Sequence, residues 1–357
     1  MNNKGFSLKD LTKKRLFMPI ACLVVVLLIN LIKTPDFFNI SINNGVLYGY
    51  IIDVINRGSE LAILAIGMTL VASSSGGTDI SVGAIAAVAA AVITNILSGG
   101  TDSVSEFHAP LAVAILAGLL VAVLCGMWNG FLVASLKIQP MVATLILYTA
   151  GRGIAQLITR GQITYIRVDA YKVIGSQFGH NPVPAPIYVA IFMIVVAALF
   201  LKYTAFGLYV QTVGINAKAA RLVGLNPVKI QFLCYMICGL MAGIAGVIYS
   251  SRIYSCDANN IGLNVEMDAI LAVALGGNSL AGGKFSLPGS LIGAYTIQAL
   301  TTSLYAMGVS SDQLPVYKAI VVVIIVSLQS PELYKLIKHH KKTGAEKKNL
   351  IKEAVQS

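Results

Sequence analysis

A chain of 357 residues, 56% of them hydrophobic and only 11% charged, with a mean hydropathy of +0.78, carries more apolar surface than one soluble core of that size can hide. Its natural solvent is lipid. The net charge of +11 would suit a nucleic acid if the basic residues formed one patch, but they gather at both ends and in one central loop, as in cytoplasmic segments of membrane proteins, so no nucleic-acid partner is expected.

The apolar runs are continuous and rich in Leu, Ile, Val, Ala and Gly, without the alternation of outer-membrane strands, so helices are expected rather than a barrel. They predict ten spans, at roughly 16–32, 56–72, 80–97, 111–135, 141–158, 187–202, 231–250, 262–275, 287–306 and 315–329. Residues 1–15 read as a basic cytoplasmic segment. No A-x-A-like cleavage site follows Asn30, so the first run is expected to remain as an uncleaved span. Residues 16–329 read as one transmembrane domain with a cytoplasmic loop at 203–230, and 330–357 as a basic cytoplasmic tail. With the N-terminus inside, eighteen Lys and Arg fall in cytoplasmic segments; Lys33, Arg57, Arg160, Arg167, Lys172 and Arg252 fall outside. That asymmetry follows the positive-inside rule. The expected fold class is all-α, a polytopic membrane protein of about ten helices, some short or discontinuous, with both termini cytoplasmic.

Two runs look too short for ordinary spans. Leu61 to Val71 leads into Ser73-Ser74-Ser75-Gly76-Gly77-Thr78-Asp79, and Met267 to Leu275 leads into Gly276-Gly277-Asn278-Ser279. Such strings weaken helix at an apolar border. They predict helices broken inside the protein beside a polar path, with a tight loop at the membrane surface as the competing reading. The shared helix, Gly-Gly, polar pattern hints at an internal repeat.

Residues that could carry chemistry are sparse. His108, His180, His339 and His340 lie in predicted loops or the tail, which argues against an intramembrane hydrolase. Four of the five cysteines lie in apolar runs as small hydrophobes. Cys234 and Cys238 are one turn apart with no His or third Cys near, so no metal is expected. The stretch Gly276 to Phe285 looks like a phosphate loop, but Asn278 holds a glycine position and Phe285 the Ser/Thr position, so no ATP binding is expected through it. Candidates for a substrate path are Thr78 and Asp79 at the first break, Asn129, Arg152 and Asn278. Asp268 and Lys318 read as interfacial anchors. So few intramembrane carboxylates disfavour an ion-coupled secondary transporter. Neutral hydrogen-bonding groups suit a sugar, and they suit helix contacts equally.

The loop at 203–230 predicts its own short helix, with Asn216 as N-cap, Ala217 to Leu222 as its body, Gly224 as C-cap and Pro227 as the stop. Its mixed surface of Lys218, Ala219, Ala220, Arg221 and Leu222 fits a soluble partner or anionic membrane lipid.

At this loop, Lys218-Ala219-Ala220, three residues, then Gly224 resembles the Glu-Ala-Ala, three residues, Gly coupling motif of importer permeases driven by ATP-binding cassettes, with Lys218 in place of Glu. LAIGMTLVASSSGGTDISVGAIAA and DAILAVALGGNSLAGGKFSLPGSLIGA resemble the paired signatures of the ribose-type sugar permease family, a likeness that runs from residue 45 to 330. LKIQPMVATLIL, AGRGIAQLITRGQI and DANNIGLNVEMDAILAV look most like its galactofuranose-importer branch. The resemblance implies a non-enzymatic permease subunit of a monosaccharide importer in the bacterial plasma membrane. It also implies a second permease subunit, cytoplasmic ATPases that use the ATP, and an extracytoplasmic sugar-binding protein. This chain would bind no cofactor, and Lys218, Ala219, Ala220, Arg221 and Gly224 would couple it to the ATPase. Permeases for branched-chain amino acids or nucleosides are the alternatives.

Overall fold

The computed structural model describes residues 16–43, 45–179, 181–283 and 285–329. The expectations for residues 1–15, Lys284, His180 and the tail 330–357 lie outside the described residues. The chain falls into two compact units divided after Gly308.

The first unit contains helices α1 (Phe17–Lys33), α2 (Tyr50–Ser75), α3 (Val82–Ser98), α4 (Leu111–Gly130), α5 (Pro140–Ile158), α6 (Asp169–Gly175), α7 (Ala185–Tyr203), α8 (Phe206–Ile215), α9 (Ala217–Leu222), α10 (Pro227–Arg252), α11 (Val265–Leu275) and α12 (Leu287–Ala306). A π-helical turn, Phe131–Ser135, prolongs α4. In the second unit the described helix is α13, Leu314–Gln329. Each of the ten predicted runs coincides with a helix. Among the described residues five helices, α2, α4 with its π turn, α5, α7 and α10, are long and apolar enough to cross a membrane by length and composition. Short strands complete the unit: β1 (Ser41–Asn43) pairs with β2 (Val46–Tyr48), and β3 (Ser103–Val104), β4 (Thr164–Ile166) and β5 (Ser255–Cys256) form a sheet in that order. That sheet ties together the segments that follow α3, α5 and α10, at one end of the bundle.

The helices α2 and α10 are largely enclosed, whereas α4, α5 and α7 turn apolar side chains such as Leu116, Leu157 and Phe192 outward. Those faces suit lipid. Lipid tails are as apolar as leucine, so helices in a membrane cohere through close van der Waals approach and interhelical hydrogen bonds rather than hydrophobic burial. The sequence of α10 supplies that approach. A Cβ on Gly239 would stand 2.5 Å from the Ala122 carbonyl of α4, and one on Gly126 of α4 would stand 2.5 Å from the Tyr235 carbonyl. The pairing of α10 with α2 is antiparallel along its whole length: Arg252 meets Glu60 at one end, Cys238 meets Gly67 in the middle, and the Gln231 amide donates to the Ser74 carbonyl (3.0 Å) at the other. A helix of 26 residues is about 39 Å long, so this pair connects the two ends of the bundle.

The expected breaks are present, with one correction. The first helix is not short: α2 has 26 residues and begins at Tyr50, because Asp53, Asn56 and Arg57 lower the hydropathy of its first turns without opposing helix. It ends at Gly76, whose φ of 64° is left-handed and closes the helix. Residues 76–81 then run inside the bundle without helical structure, with Thr78, Asp79 and Ser81 buried and the Ile80 amide donating to the Thr144 hydroxyl of α5 (3.2 Å). The second helix is short as expected, since α11 has 11 residues, about 16 Å. Gly262, just before α11, packs on Ala86 in α3, as does Gly246 of α10. Gly246 lies six residues before the end of α10, so α11 starts about 9 Å inside the bundle. The helix α8 has no counterpart among the sequence expectations.

Replacing Gly126 with Val should lower the folded yield and the thermal midpoint of the detergent-solubilised protein, a loss of about 1–3 kcal/mol or more. Gly153→Val is the control, because among the described residues nothing beyond its own helix backbone lies within 4 Å of its Cβ position; it should leave both unchanged.

Candidate transport site

The helix α9 is locked at both termini by its own sequence. The Asn216 Oδ1 accepts from the backbone amides of Lys218 and Ala219, each at 3.0 Å, which satisfies donors that a helix start leaves free. At the far end the Gly224 amide donates to the Arg221 carbonyl and the Leu225 amide to the Ala220 carbonyl, both at 3.0 Å, with Gly224 at φ +83°. This is the Schellman arrangement, in which glycine takes the left-handed position without a Cβ penalty. Of the five coupling candidates, Lys218, Ala219, Arg221 and Gly224 are exposed. Ala220 is not part of the surface: it is fully buried and anchors α9 from below. The apolar part of the exposed face is Leu222, 90% exposed, with Val223 beside it.

The preceding helix connects this face to the breaks. Gly214, near the end of α8, packs directly against the Ser73 carbonyl and the Gly283 amide. The Gly283 amide itself donates to the Ser73 carbonyl (3.0 Å), and Gly76 packs on the Ala281 carbonyl. The chain leaving α2 and the chain leaving α11 therefore meet each other and α8 at one joint.

The five path candidates fall into three places. Thr78, Asp79 and Asn129 come together: Asp79 Oδ1 accepts from the Ser81 amide (2.9 Å) and hydroxyl (2.6 Å), and Asn129 Nδ2 donates to Ser81 Oγ (2.8 Å) while lying 3.5 Å from both Asp79 oxygens. The carboxylate sits at the start of α3, where the helix dipole favours negative charge. Asn278 lies at the second break, donating to Ser290 Oγ (2.7 Å) and accepting from the Ser286 amide (2.5 Å), while the Thr69 hydroxyl of α2 also reaches Ser290 (2.6 Å). Arg152 stands apart, its guanidinium donating to the carbonyls of Ala258 (3.2 Å), Ile261 (2.5 Å) and Gly262 (2.9 Å). Asp79, Asn129, Asn278 and Arg152 each hydrogen-bond to protein groups of the helices and loops around them.

A polar cavity of about 480 Å³ lies at the end opposite α9, between α2, α10, α11, α12 and residues 253–263. None of the five path candidates lines it. Its charged residues are Arg57, Glu60, Arg252 and Asp268. The Glu60 side chain is fully buried, with Oε1 2.6 Å from an Arg252 nitrogen. Arg252 also donates to Asn56 Oδ1 (3.1 Å) and to the Gly175 carbonyl (3.4 Å), so one guanidinium ties α10 to α2 and α6. The signal for this site was a carboxylate inside an apolar run, with an arginine just beyond another run. Among the described residues no group of three His, Cys, Asp or Glu could hold a metal, and none of the five cysteines is in a disulfide.

Residues 50–328 match the family described as branched-chain amino acid transport system / permease component. The chain belongs to this permease family, so it is a transport component of a membrane system rather than an enzyme. It is 42% identical over 337 residues to the galactofuranose transporter permease protein YtfT of Escherichia coli (strain K12), covering 92% of this chain and 95% of that protein. It is 36% identical over 346 residues to the fructose import permease protein FruF of Bifidobacterium longum (strain NCC 2705), covering 94% of each, and 35% identical over 310 residues to the ribose import permease protein RbsC of Escherichia coli (strain K12), covering 86% and 91%. The resemblance to sugar permeases in the sequence holds over nearly the whole chain.

Removing one partner of a buried ion pair strands the other charge. Arg252→Met should therefore destabilise the protein by about 3–5 kcal/mol, and the double variant Glu60→Gln/Arg252→Met should recover most of that loss, as read by thermal melting in detergent.

Proposed function

We propose that this chain is the membrane-spanning subunit of an ATP-driven importer that carries a monosaccharide across the bacterial plasma membrane. The observation that carries the reading is the joint at Gly214, where the element before the exposed α9 touches both broken helices at once. A rigid surface helix connected to two breaks is suited to converting the movement of a soluble partner into movement of the spans. The partner on the α9 face is the cytoplasmic ATPase, which binds and hydrolyses the ATP; the exposed Leu222 and Val223, flanked by Lys218 and Arg221, form its docking surface. A second permease subunit completes the channel, and an extracytoplasmic binding protein delivers the sugar to the opposite end.

The sugar assignment rests on the relatives, which are named for galactofuranose, fructose and ribose. All three are neutral polyols that can form a five-membered ring. A path that must release its cargo binds it weakly, so selectivity belongs mainly to the delivering protein.

In cells making the chain with its partner subunits, labelled ribose or galactofuranoside uptake should fall by an order of magnitude or more with Leu222→Asp or with Gly224→Val, whose β-branched side chain opposes a positive φ. Membrane abundance should not change. Normal uptake by both variants would remove the coupling assignment, and uptake of leucine without sugar would favour the amino-acid reading carried by the family description.

A further inference from the structure

We propose that the cavity between α2, α10, α11 and α12 is a monosaccharide subsite within this single chain, with Glu60 as the acceptor for sugar hydroxyls. The proposal rests on the sugar-importer reading and adds to it a place and a residue.

The first support is an acceptor with nothing to accept. Glu60 is 0% exposed and lines the cavity, and neither of its carboxylate oxygens has a hydrogen-bond partner among the described residues, Oε1 having its ion pair with Arg252. A buried polar atom of this kind needs a partner from water or ligand. The ion-paired Arg252 is itself fixed by Asn56 and Gly175. The carboxylate is therefore positioned before any ligand arrives, and the ordering is not charged to binding. What completes it is an O–H or N–H donor.

The second support is the rest of the lining. Gln298, Thr301 and Tyr305, on one side of α12, line the same space, as do Arg57 and Asp268. The Thr301 hydroxyl donates to the Ile297 carbonyl and so offers an acceptor, the Gln298 amide gives one N–H to Thr302 and retains a second N–H and its oxygen, and the Tyr305 phenol offers both a donor and an acceptor, which matches a ring bearing several hydroxyls. The two arginines and two carboxylates cancel, so the cavity suits a neutral ligand. At about 480 Å³, it lies within the roughly 300–1,000 Å³ of small-molecule sites. An aliphatic amino-acid side chain would bring no hydroxyls to this lining.

The third support is location. The floor includes the start of α11, a helix that begins inside the bundle, and irregular backbone at such depth is tolerated where it lines a watered cavity. The cavity lies at the far end of α10 from α9, where a delivered sugar would enter.

The test uses the full chain in lipid nanodiscs with Thr301→Cys, labelled by a water-soluble maleimide, against the unmodified chain as background. Methyl β-D-galactofuranoside, D-ribose and D-fructose should slow labelling several-fold at millimolar concentration, and leucine should not. Adding Glu60→Gln should raise the half-protecting concentration about tenfold or more, the value of a hydrogen bond to a charged group. Gln298→Ala, which leaves the ion pair intact, should raise it by a smaller factor and guards against loss of folding in the Glu60 variant. Labelling unaffected by every sugar would overturn the site while leaving the importer reading to stand on cellular uptake. Protection that survives both substitutions would overturn the role of this lining. Protection by leucine alone would overturn the importer reading as well.

Discussion

The close approach of α10 to α2 and α4 is the constraint on which the other features depend. Helices in lipid gain little from hiding apolar surface, so a bundle stands or falls on how near its backbones can come. Glycine at 67, 126 and 239 removes the Cβ atoms that would hold those backbones apart. With α10 seated, α2 has one register against it, marked at three levels by Glu60 with Arg252, Gly67 with Cys238, and Ser74 with Gln231. A shift of one turn would separate the Glu60 carboxylate from its guanidinium and strand a buried charge. Steric fit and electrostatics thus select the same alignment.

That alignment places two candidate regions at opposite ends of the same helix pair. At one end α2 breaks beside α8 and α9, and at the other the pair frames a polar cavity. The break after α11 belongs to the first region and the start of α11 to the second, so this short helix bridges them from the other side. Breaking a helix in a membrane frees backbone groups that must find partners. Here the side chains of Asp79, Thr144 and Asn278 accept from the amides of Ser81, Ile80 and Ser286, and this explains why polar residues at the breaks face protein rather than open space.

Local rules were legible in the sequence and long-range pairings were not. The caps of α9 could be read to the residue because Asn216 and Gly224 act within four residues of themselves. Hydropathy found each apolar helix that later proved central, yet it began α2 six residues late, since Asp53, Asn56 and Arg57 are polar without being helix breakers. It passed over α8, a ten-residue apolar helix too short to span and followed at once by another helix. The hydrogen-bonding capacity of Asp79, Asn129, Arg152 and Asn278 was visible; apart from the local bonds of Asp79 with Ser81, their partners lie on other elements and only the fold reveals them. Ala220 was read as surface because a six-residue helix shows no clear periodicity. Glu60 and Arg252 carried the clearest unread signal, two charges beside apolar runs whose meaning appears only when α2 and α10 are laid together.

The cavity and α9 lie at opposite ends of the α2–α10 pair and are expected to open on opposite sides of the membrane. The most direct measurement is the sidedness of labelling by a membrane-impermeant maleimide, with Thr301→Cys and Leu222→Cys made separately and probed in right-side-out and inside-out vesicles. The architecture predicts that Cys at 301 reacts only in right-side-out vesicles and Cys at 222 only in inside-out vesicles. Reaction of both from the same side would contradict it.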